Sequence, residues 1–184
     1  LEIAESQAMD RINRRNTFEW VKESFSSLKE KLNLSNLERI EAFDISHNQG
    51  NQVTASCVCF NENGPDKKNY RSMNLTLEKN DDYLALSEAV RRRLKNLKDN
   101  NKDFPDLLVI DGGKGQLNSV VKELEKNDLR KINIISISKG PQRNEKYDEI
   151  HLLKPPFKLK IADLDGSSKL IQLIRNESHR FAIK

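Results

Sequence analysis

Four apolar residues in succession, Leu107-Leu108-Val109-Ile110, lead without a linker into Asp111-Gly112-Gly113, and Leu117, Val120, Val121 and Leu124 then recur at helical spacing. A strand that is apolar on both faces has to lie inside a sheet covered on both sides. The glycines after it turn the chain straight into a helix. This unit sets Asp111 at the carboxyl edge of the sheet, where ligands of open α/β sheets gather.

The rest of the chain fits around that unit. Arg39 to Ile45, Gln52 to Phe60 and Asn69 to Leu77 read as strands, broken at Asn48-Gln49-Gly50-Asn51 and Asn61-Glu62-Asn63-Gly64-Pro65. Connections so short suit an antiparallel meander. Asp81 and Asp82 supply the acidic start of a helix whose apolar stripe is Tyr83, Leu86, Val90, Leu94 and Leu97. Ile132 to Ile137 predicts another strand, Lys139 to Lys160 a loop-rich stretch with a minor strand at Glu149 to Leu153, and Ser167 to Ile183 a final helix. Ahead of these, residues 1–37 read as a polar helical arm or packing helix with Phe18, Val21, Phe25 and Leu28 on one face. Residues 38–184 then form one α/β domain, a mixed sheet in βββαβαβα order flanked by helices. That order is the order of the ribonuclease H-like fold, a topology that by itself leaves function open.

Composition sets the outer limits. A chain of 184 residues is long enough to bury a real core. A net charge of +4 is compatible with a polyanionic partner without requiring one. No run approaches the roughly 18 apolar residues of a membrane helix. The N-terminal segment carries charges where a signal peptide would be apolar, which favours the cytoplasm and no membrane partner. Opening on Leu1 is expected of a piece of something longer. Cys57 and Cys59 share a strand face beside Val53 and Ala55 and read as core thiols, and no further cysteine or histidine stands at zinc-site spacing.

Two strand-end carboxylates carry the chemistry. Asp44 closes the apolar segment Ile40 to Phe43, where a buried charge needs compensation, and Asp111 closes the second. Each alone serves equally as a turn or helix cap. Brought together they need a cation, and oxygen ligands point to Mg2+ or Mn2+ rather than zinc. His179 follows Ile171 and Arg175 at intervals of four on the last helix and can face the sheet edge, although a lone helical histidine is as readily a packing residue. Glu177 can be a ligand, an outer acceptor or solvated; His47 and His151 are assigned to structure or surface. Asp82 is explained by the helix dipole, yet a third carboxylate near two ligands could tune a metal site. The Gly-rich turn lacks P-loop spacing, but Lys114 there could hold a phosphodiester. Arg91, Arg92 and Arg93 are either a solvated face or a grip on DNA phosphates.

Taken in order, several segments resemble the C-terminal nuclease half of the bacterial UvrC excinuclease family. They are Phe43-Asp44-Ile45-Ser46-His47, Ala55-Ser56-Cys57-Val58, Asn63-Gly64-Pro65, Asp81-Asp82-Tyr83, Arg91-Arg92-Arg93, Pro105-Asp106, Ile110-Asp111-Gly112-Gly113-Lys114-Gly115-Gln116-Leu117, Ser138-Lys139-Gly140 and Ile174-Arg175-Asn176-Glu177-Ser178-His179-Arg180-Phe181-Ala182-Ile183. The resemblance implies a ribonuclease H-like endonuclease that makes the 5′-side incision in nucleotide excision repair, on damaged double-stranded DNA loaded with UvrB. It places the family's catalytic and metal-binding Asp, Asp and His on Asp44, Asp111 and His179, and a further acidic position on Asp82. Lys114, Arg91, Arg92, Arg93, Lys139 and Arg180 are the expected DNA contacts. It also implies an N-terminal incision domain and a C-terminal helix-hairpin-helix domain as partners outside this chain. The segment Asn144 to Gly166 is only loosely similar. Two ions about 3.5 to 4 Å apart would serve attack and departure in such chemistry. The alternatives are a non-catalytic DNA-binding or assembly module and a different nuclease on the same fold.

Overall fold

The computed structural model describes residues 19–48, 52–76, 81–140, 148–153 and 156–183. Phe18, residues 49–51, Leu77 and Lys154-Pro155, for which the sequence also carries expectations, lie outside them. The elements are α1 (19–31), β1 (Arg39–Asn48), β2 (Gln52–Asn61), β3 (Gly64–Pro65), β4 (Arg71–Leu75), α2 (Asp82–Asp99), β5 (Leu107–Asp111), α3 (Lys114–Lys126), β6 (Asn133–Ser138), β7 (Glu149–Leu153), β8 (Pro156–Lys160) and α4 (Ser168–Ala182), with a 3-10 segment over Ile161–Ser167 ahead of α4.

The strands form one mixed sheet in the order β3-β2-β1-β5-β6-β7-β8, with β4 also on β2. β1 runs antiparallel to β2 and parallel to β5, and β5 runs parallel to β6. β7 and β8 add antiparallel strands at the far side. The fold class is the expected ribonuclease H-like one, with a larger sheet. β8 went unforeseen because it begins at a proline. Proline is tolerated at the first residue of an edge strand, where no ladder donor is needed.

Side chains of the sheet alternate between two cores, as the period of two requires. Ala42, Leu107, Val109 and Ile135 pack in a cluster with Val21, Phe25 and Leu28 of α1 and Leu170, Ile171 and Ile174 of α4. Phe43, Leu108 and Ile110 pack in the other with Leu86, Val90 and Leu94 of α2 and Val120 and Leu124 of α3. The helix ahead of β1 is thus a packing helix in its described part. Cys57 joins Val53 and Ala55 as expected, whereas Cys59 belongs to the cluster with α1. Both thiols are free and buried.

Local chemistry closes the ends. The Asp81 carboxylate accepts from the backbone N–H of Tyr83 and Leu84 and starts α2. Gln116 Oε1 accepts from Gly113 N at 2.9 Å at the start of α3. Asp106, just before β5, accepts from Glu38 N and Arg39 N and so ties the entry of β1 to β5. Tyr83 departs from the predicted stripe: it is 49% exposed, with its ring over Gly115 so closely that a Cβ there would lie 2.8 Å from it. Among the described residues no helix is long and apolar enough to cross a membrane.

Candidate active site

The parallel register of β1 and β5 pairs Phe43 with Ile110, so the next residues, Asp44 and Asp111, end up side by side at the carboxyl edge. Their alternation follows Ala42 and Val109, which face the α4 side. The backbone N–H of Gly112 donates to Ile137 O at 2.8 Å, fixing the turn after Asp111 to the end of β6. From above, α4 delivers His179. Its Nδ1 stands 3.0 Å from Asp44 Oδ2 and its Nε2 stands 2.7 Å from Asp111 Oδ2. One ligand atom from each of the three residues lies within 4.8 Å of the others, and among the described residues this is the one such group able to hold a metal ion.

Burial raises the Asp44 carboxyl above its ordinary range; the His179 ring opposes that shift and the nearby Asp111 adds to it. The side chains of Asp44 and Asp111 are only 13% and 18% exposed, while His179 is 44% exposed. Two crowded carboxylates and an imidazole open to solvent form a donor set that fits a divalent cation, and the repulsion between the carboxylates is relieved by one.

Other predicted residues are placed differently. Asp82 begins α2 outside this group, and its carboxylate meets His47 Nε2 at 2.7 Å, three residues beyond Asp44 on β1. Glu177 accepts from Tyr70 Oη at 3.0 Å and from Arg180, and those bonds hold its carboxyl low against the opposing effect of burial. His151 is buried with Nε2 2.8 Å from Ser138 Oγ, and burial lowers its pKa.

The expected DNA contacts divide. Lys114 is exposed at the first position of α3, and Lys139 is exposed on the turn that follows β6. Arg91 and Arg92 are exposed, the first forked on Glu88 and the second donating to Asn74 O. Arg180 is exposed and paired with Glu177. Arg93, in contrast, is 2% exposed and gives both Nε and Nη2 to the buried Glu41, so it is a core ion pair out of reach of a phosphate.

Sequence reading missed Arg175 and Asp148. Both are buried, Arg175 donates through Nη1 to Asp148, and its Nε faces Asp111 Oδ1 at 3.7 Å. The available signal was the place of Arg175 one turn before His179; nothing in the sequence marked Asp148.

A parallel pair of strands with an aspartate on each, side by side, flanked by an antiparallel meander and crossed by a helix, defines the class of ribonuclease H-like domains. A family model described as the UvrC RNAse H endonuclease domain matches residues 29–183. This chain belongs to that family. It is 42% identical over 161 residues to UvrABC system protein C of Nitrosococcus oceani and 39% identical over 165 residues to that of Legionella pneumophila strain Paris. The matches cover 86% and 89% of this chain, and the chain spans about a quarter, 26%, of the length of either relative. Among solved structures, human ENDOV is similar with a TM-score of 0.45 at 15% identity, over 57% of this chain and 47% of the other. The Argonaute of A. aeolicus is similar with a TM-score of 0.41 at 13% identity, over 65% of this chain and 20% of the other.

Proposed function

We propose that this domain is a divalent-metal-dependent endodeoxyribonuclease that makes the 5′-side incision of bacterial nucleotide excision repair on a damaged duplex loaded with UvrB. The observation that carries the reading is the meeting of Asp44, Asp111 and His179 at one point of the carboxyl edge. Membership of the UvrC endonuclease-domain family supports the substrate and the partner.

Asp44, Asp111 and His179 hold Mg2+ or Mn2+. The bound cation supplies Lewis-acid stabilisation of charge on the phosphodiester and makes a water more acidic. Asp44 and Asp111 would contribute the negative charge that retains the cation at the sheet edge. His179, on the solvent side, stands where it can ligate or position the attacking water. Lys114 at the start of α3 and Lys139 on the turn after β6 flank the edge and neutralise backbone phosphates. Asp82, held by His47 on the strand of Asp44, tunes the site from outside. The N-terminal incision domain and C-terminal helix-hairpin-helix domain that the family resemblance implies would add DNA affinity.

Cleavage of a labelled duplex bearing a bulky lesion, preloaded with UvrB, tests the proposal when wild type and Asp111→Asn are compared with Mn2+ and with Mg2+. Metal-dependent cutting on the 5′ side, lost in the variant, is the expected result. Equal cutting by both proteins, or DNA binding without cutting by either, would move the assignment to an assembly module.

A further inference from the structure

Arg175 is buried beside the proposed metal site with part of its bonding capacity unused. Its guanidinium is anchored on the side away from the site: Nη1 donates to Asp148 Oδ2, while Asp148 Oδ1 accepts from Gly140 N at 2.9 Å. On the near side Nε points at Asp111 Oδ1 from 3.7 Å, an ion-pair distance beyond hydrogen-bond reach. That buried N–H has no hydrogen-bond partner among the described residues. Leaving a buried donor unbonded is unfavourable, so its retention next to a carboxylate needs a reason.

The two oxygens of Asp111 therefore live in different surroundings. Oδ2 faces His179 Nε2 at 2.7 Å and Oδ1 faces the guanidinium. We propose that Arg175 is a positioning residue that reserves Oδ1 of Asp111, leaves Oδ2 to the cation, and so selects a small divalent ion over calcium. The inference rests on the reading that Asp44, Asp111 and His179 hold a cation. Magnesium demands compact octahedral coordination and keeps several waters, whereas calcium takes more oxygens and accepts carboxylates through both of theirs. A carboxylate with one oxygen facing a fixed cation is a poorer bidentate ligand. Lysine cannot replace this group, because a single ammonium lacks the planar fork that spans two carboxylates.

Isothermal titration of the full chain with CaCl2 and with MnCl2 gives the ratio of the two affinities, for wild type, Arg175→Lys and Asp148→Asn, with a melting curve for each. In both variants calcium should gain on manganese by about 10-fold, the lower end of the effects of groups that orient metal ligands. Damage to the fold would weaken both ions together and leave their ratio in place. A second measurement needs no variant: the Arg175 Nε–H resonance of the 15N-labelled wild type should move as MgCl2 is added. Folded variants with the wild-type ratio, or a resonance that stays put at saturating MgCl2, would overturn the role of Arg175. A wild type that binds neither ion overturns the metal reading and this inference with it, an outcome distinct from the others because they require a site that saturates.

Discussion

Glu41 and Arg93 show how much a single buried charge can decide. Glu41 is fully buried on β1, and its carboxylate receives Arg93 Nη2 at 2.7 Å and Arg39 Nη2 at 2.5 Å. Burial alone would raise its carboxyl, but the two guanidinium groups outweigh burial and hold it below its ordinary value of 4.5. The folded state consequently binds fewer protons at this site than the unfolded chain. Its contribution to stability is complete above that value and drains away as pH falls below it. Glu41→Gln should cost about 3 kcal/mol at pH 7, since one partner of a buried pair is left charged and unpaired, and should flatten the acid limb of the melting profile. Denaturant unfolding at pH 7 and pH 4 measures both. At the site itself, Asp44→Asn should abolish Mn2+ binding seen by calorimetry while the melting temperature is kept or raised, because a buried carboxylate that sits above its ordinary pKa is replaced by a neutral group. For DNA, Lys114→Ala should reduce the slope of log affinity against log salt by about 1, the effect of losing one phosphate contact. Fluorescence anisotropy at several salt concentrations reads that slope.

At the scale of elements, the site depends on how three of them are placed. β1 and β5 run in parallel register as far as Phe43 and Ile110, so Asp111, the last residue of β5, comes beside Asp44, from which β1 runs on to Asn48 paired with β2. α4 carries Ile171, Arg175 and His179 along one stripe, burying the first two and reaching the edge with the third. α2 sets its start through the Asp81 cap, which also places Asp82 against His47. Asp81→Ala should therefore destabilise the protein by about 1 kcal/mol, the typical loss of an N-cap, and weaken the Asp82 to His47 contact. Thermal unfolding gives the first effect, and loss of the nuclear Overhauser contacts between the His47 ring and Asp82 gives the second.

For the whole molecule, the sheet separates two cores and each needs its helices. Val21, Phe25, Leu28 and Leu32, from α1 and the turn after it, are all buried in the core that also holds α4. Phe25→Ala should cost about 3 to 5 kcal/mol, as for large aromatic truncations in cores. It should also weaken metal binding, since α4 rests on the same cluster and carries His179. Chemical denaturation paired with Mn2+ titration measures both effects. A variant with a normal metal site after losing that much stability would show that α4 is held independently of α1.

The chain's own order of residues determined the helices, the central strands and the carboxylates that follow their apolar runs, because hydrophobic period and turn residues act over a few positions. Asp44, Asp111 and His179 were legible on those grounds and through the ordered family segments. Arg93 stood within the apolar stripe, three residues after Val90 and four before Leu97, but a charge on that face found its reason only in the buried Glu41 on another strand. Arg175 and Asp148 were not legible, since they lie 27 positions apart in the chain and meet only after β7 and α4 have packed. Whether Asp82 joined Asp44, Asp111 and His179 was likewise decided in three dimensions, where it meets His47 instead. Local pattern says what a segment becomes; which charges share a buried space is set by contacts between distant segments, where desolvation makes every unpaired charge costly.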